Sequence, residues 1–143
     1  MTMSVRDRLK ERCGSIEECY EFMLAYAAQG LQTEPGGASG SQLRVLMTRA
    51  DEALIGLEEL FTGIVRAENL QPVEKYEAFI AMLSRDASDA RAAIGLALAQ
   101  PSISSQLVDN LNASIHVRAL LTDLFLIDEI VRPGATSDIA HRE

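Results

Sequence analysis

A chain of 143 residues, 48% of them apolar, is long enough for one hydrophobic core and too short for two. Aromatics make up 5% and tryptophan is absent, a mix that favours helices packed through small and aliphatic side chains over a β-sandwich. The formal charge of −8 argues against nucleic acid as a partner, because the one basic segment, Arg6 to Arg12, is interleaved with Asp7 and Glu11.

Met1 to Met3 lead into charged residues without the apolar stretch of a signal peptide, so a cytoplasmic setting with reduced thiols is expected. Ser4 is placed to cap a short helix over 5–13, which Gly14 ends. Ser15-Ile16-Glu17-Glu18 then reads as a capping box that opens a second helix running to Gln29. Its wide apolar face gathers Cys19, Tyr20, Phe22, Met23, Tyr26 and Ala27. Residues 31–40 are loop, broken by Pro35, Gly36, Gly37 and Gly40.

Two heptad seams follow. Leu43, Met47, Ala50, Leu54, Leu57, Phe61 and Ile64 alternate by four and three, which predicts one helix over 42–68 capped by Ser39 or Ser41. Tyr76, Ile80, Leu83, Ala87, Ala90, Ile94 and Ala97 repeat the rhythm over 72–99, with Pro72 at the first helical position. Gln100-Pro101-Ser102 is a break, with Ser102 the expected cap of a last helix over 103–131. Arg132-Pro133-Gly134 stops that helix, and 132–143 is expected to be a disordered tail. Short breaks between long helices require antiparallel neighbours. The expected fold is therefore one all-α domain over 1–131, an antiparallel four-helix bundle with a short extra N-terminal helix. The most apolar window, 119–131, holds Asp123, Asp128 and Glu129 and is too short to span a bilayer, so no membrane partner is expected.

The second half of the last helix is apolar nearly all round, more than one subunit of a bundle would cover. Leu120, Leu124, Ile127 and Val131 are the candidate interface, and association with protein, first of all a second copy, is the expected role. Gly56 and Gly63, one heptad apart, would form a shallow notch for a further helix. In size, acidity and helix count the chain resembles secretion and flagellar export chaperones, and that resemblance implies an adaptor that holds an apolar partner segment.

Other chemistry finds little footing. Cys13 and Cys19 flank a turn, and with Tyr20, Met23 and Tyr26 they could form a pocket for a small molecule or a thiol-redox sensor. Their spacing is C-x5-C rather than C-x-x-C, and Cys19 on an apolar face favours plain packing. A di-iron bundle needs paired Glu-x-x-His, which is absent; Asp51, Glu58, Glu59 and Asp123 read as surface or edge charges, and no metal or cofactor is expected. His116 should be exposed, but it lacks the lysine and glycine that follow the histidine of phosphotransfer domains. PGGASG lacks the lysine and the preceding strand of a phosphate loop. No nucleophile–base constellation stands out, so the reading leans away from an enzyme.

Overall fold

The computed structural model describes residues 3–131, and the tail 132–143 lies outside them. The described residues are all-helical: α1 (Val5–Ala28), α2 (Ala38–Leu54), α3 (Leu57–Ala67), α4 (Val73–Leu98), α5 (Ser105–Ala113) and α6 (Ile115–Ile130). Only α4 matches its expected span to within a residue at each end. The other expected helices are joined or divided.

The expected short N-terminal helix is not separate. α1 starts where Ser4 caps it, its hydroxyl accepting from the Asp7 amide at 3.1 Å, and passes through Gly14 without a stop. Ser15 lies inside the helix and donates to the Glu11 carbonyl at 3.2 Å, so the capping box does not form. The reason is a continuous core stripe. Leu9, Ile16, Cys19, Met23 and Tyr26 are all buried, and the face they share crosses Gly14. Its burial outweighs the roughly 1 kcal/mol that an interior glycine costs.

The expected 42–68 helix is two helices. Ile55 is extended and Gly56 is left-handed at φ +71, which ends α2 and caps α3. The Arg12 guanidinium of α1 donates to the freed Ile55 carbonyl. The seam from Leu43 to Ile64 is nevertheless buried along its whole length. The expected 103–131 helix is likewise divided. Ser114 takes an extended ψ of 133 and uses its hydroxyl to cap α6 through the His116 amide. Ser104 rather than Ser102 caps α5, accepting from Leu107 at 3.1 Å.

α1 packs on α2, α3 and α5; α4 packs on α2, α3 and α6. One buried cluster runs from Leu9 to Val131. Phe61 lies at its α3–α4 side, with Phe79 edge-on at 5.8 Å and Tyr76 at 6.2 Å. The long loop is tied to the α4–α5 turn by polar bonds. Arg44 holds Glu34 through two bonds of 2.8 Å and also donates to the Leu98 and Gln100 carbonyls. Tyr26 donates to the Ile103 carbonyl at 2.6 Å, and Ser105 bridges the Tyr26 carbonyl and the Leu31 amide. These bonds satisfy backbone groups that the loop would otherwise bury unpaired.

Candidate functional site

α6 carries two apolar faces. Leu120, Leu124, Ile127 and Val131 face inward and are buried by the chain's own core. The interface expected at these four residues is therefore corrected, since a side chain enclosed by its own subunit offers nothing to a partner. The surplus lies away from that face: Ile115 is 74% exposed, Leu126 46% and Ile130 44% on the opposite side, with Phe125, 58% exposed, on the flank. With half-buried Ala119 and exposed Thr122, Ile115, Leu126 and Ile130 are spaced 4-3-4-4, close to the heptad rhythm of a helix-pairing seam.

The beginning of α6 lies beside the end of α4. Ala93, Leu96 and Ala97 share an apolar cleft of about 260 Å³ with Leu107, Leu111 and Ser114. Farther along, Asp123 meets Asp86. Together these two contacts fix α4 and α6 as antiparallel neighbours. Leu96, which lines this cleft, is 69% exposed.

Asp123 also departs from expectation, because it is buried, 3% exposed, rather than an edge charge. Loss of hydration, the hydrogen bond with Asp86 and the negative charge of Asp86 push its carboxyl up to about 7. Asp51 pairs with Arg91 at 3.0 Å, Glu58 is half-buried, and Glu59 and His116 are exposed.

The glycine notch does not form. Gly56 sits in the bend between α2 and α3, whereas Gly63 is inside α3. A Cβ at Gly63 would lie 3.5 Å from Val5, so α1 already covers that face. The expected pocket fares no better. Cys19, Met23 and Tyr26 are buried in the core, with the Cys19 thiol 3.7 Å from the Met23 sulfur, and they fill space rather than line it.

Cys13 and Cys19 lie six residues apart on one continuous helix, about 9 Å along its axis at 1.5 Å per residue. That separation exceeds the reach of a disulfide. Cys19 is mid-helix, far from the dipole of the N-terminal turn. Burial first, and then Glu18, pushes its thiol up to about 12; burial, Glu17 and Asp128 do the same for Cys13. Neither thiol has the lowered pKa of a redox site. Tyr20 is half-buried against the core.

Among the described residues no group of three or more His, Cys, Asp or Glu could hold a metal ion, and no helix is long and apolar enough to cross a membrane. Known families, curated proteins and solved structures give no match to this chain. The outer face of α6 is thus the feature that its own fold leaves unexplained. The sequence shows the excess of apolar residues in α6 but not which of its sides the chain itself buries. The 4-3-4-4 spacing from Ile115 to Ile130 was the signal available, obscured because both faces of α6 are apolar.

Proposed function

We propose that this protein works by self-association, with the outer face of α6 packing antiparallel on the same face of a second copy. The supporting observation is that the stripe is self-complementary. Ile115, Ala119, Thr122, Leu126 and Ile130 are disposed about a centre near Thr122. A two-fold axis there sets Ile115 opposite Ile130 and Ala119 opposite Leu126, large against large at the ends and small against large between them. α4 and α6 of each copy then form an antiparallel four-helix layer across the axis, with Leu96 at its margin.

Few side chains are involved and the chain is acidic, so the contact is at the low end of specific interfaces, with affinity on the order of micromolar. No catalytic step is assigned. The role is that of an associating protein, with cellular setting and further partners to follow from what the dimer displays.

The test is cross-linking at the proposed axis. Thr122 is exposed, and its hydroxyl donates to the Arg118 carbonyl of its own helix at 2.9 Å, so Thr122→Cys should fold normally. A short bis-maleimide is expected to link two copies through residue 122 well ahead of Arg49→Cys, an exposed position on α2. Equal linking by the two variants, or none at residue 122, would overturn the reading.

A further inference from the structure

The buried seam between α4 and α6 holds an acid where a core residue belongs. Asp123 is almost wholly enclosed, and its Oδ2 accepts no hydrogen bond among the described residues. It forms no ion pair among them either. α4 presents Asp86, itself half-buried, while Arg85 and Asp89 on either side are exposed. α5 brings the exposed Asp109 and the buried amide of Asn112. α1 meets α6 near its end, where Arg6 donates to the Val131 carbonyl and Glu17 and Cys13 lie near Asp128. Asp123 thus has a like charge as its neighbour and no compensating cation.

A buried carboxylate in such a place lacks both hydration and a donor, so its charged form is disfavoured. One proton removes the conflict. The neutral carboxyl becomes a donor, and the Asp86 carboxylate is the acceptor within hydrogen-bonding reach. The geometry points to a proton-dependent latch: Asp123, protonated and bonded to Asp86, fastens α6 onto α4, and loss of that proton to water loosens α6. This inference stands apart from self-association, since it concerns the inner side of α6 within one chain.

The direction of the pH effect follows from linkage. The folded carboxyl keeps its proton up to about 7, whereas an unfolded aspartate releases it near 3.8. Between those values the folded state binds more protons. The contribution of Asp123 to stability is therefore fully present at low pH, falls as pH rises through this window, and is lost above the folded value.

The test is carbon NMR of aspartate carboxyls together with hydrogen exchange of α6 amides, corrected for intrinsic rates, between pH 5 and 8.5. One carboxyl is expected to titrate near neutrality and to vanish in Asp123→Asn. α6 protection should fall with pH in the natural chain, relative to α2 and α3, and should stay level in Asp123→Asn. A second variant, Asp86→Asn, removes the like charge and is expected to lower the Asp123 midpoint without returning it to the ordinary range, because burial is the larger cause. An Asp123 carboxyl that titrates with the exposed acids below pH 5, or α6 protection that is level with pH in the natural chain, would overturn the latch whether or not the chain dimerises.

Discussion

Two glycines seven residues apart should respond to alanine with opposite signs. Gly56 has φ +71 between α2 and α3, and Gly63 is inside α3. A left-handed L-residue costs about 1–2 kcal/mol, so Gly56→Ala should destabilise the chain by about 1 kcal/mol or more. A Cβ there would meet only Arg12 Nη1 and Glu59 Oε2, both at 3.9 Å, so the loss is conformational rather than steric. Gly63→Ala exchanges a poor helix former for the best, a gain of up to about 1 kcal/mol. Its new methyl would touch Val5 Cγ1 at 3.5 Å, an ordinary packing distance.

Urea unfolding followed by far-ultraviolet circular dichroism measures both effects, and unchanged m values would show that only stability moved. The expected difference between the two variants is about 2 kcal/mol, well beyond the error of comparing midpoints on one scaffold. Stabilisation by both substitutions would refute the reasoning, because it would mean that one unbroken helix runs through residue 56.

Two further outcomes follow from burial. Asn112 on α5 is buried with neither its amide nitrogen nor its oxygen hydrogen-bonded among the described residues, so Asn112→Leu should stabilise the fold by about 1–3 kcal/mol and raise the urea midpoint accordingly. Cys13 and Cys19, with thiols pushed up to about 12, should react with a neutral-pH thiol reagent far more slowly than in the unfolded chain. Prompt labelling of Cys19 in the native state would revive the sensor reading.

Periodicity made the fold class legible, because burial at helical intervals is written directly in the residue order. The seam from Leu43 to Ile64 is buried throughout, and the seam from Tyr76 to Ala97 is buried from Leu83 onward, with Tyr76 and Ile80 half-buried against the core. Helix ends were less legible, because single residues carry competing signals. Gly14 reads as a stop, yet the stripe from Leu9 through Ile16 to Met23 holds α1 together across it. Gly56 reads as half of a notch inside one helix over 42–68, yet the chain uses it to turn, with Arg12 meeting the carbonyl that the bend exposes.

The same limit applied to α6. Composition showed that it carries more apolar surface than one chain covers, but the choice between its two faces depends on where α4 packs. Asp123 looked like an edge charge because no local pattern reveals that Asp86, 37 residues earlier, lies opposite it.

Self-association through the outer face of α6 is tested most directly by sedimentation equilibrium over micromolar to hundred-micromolar concentrations. The natural chain is expected to approach twice its monomer mass, more readily as salt screens the −8 charge of each copy. Leu126→Asp should stay at the monomer mass with an unchanged helical spectrum, whereas Leu124→Asp, which places a charge in the core, should lose its fold. A natural chain that remains monomeric across this range, or a Leu126→Asp variant that dimerises as well as its parent, would contradict the account.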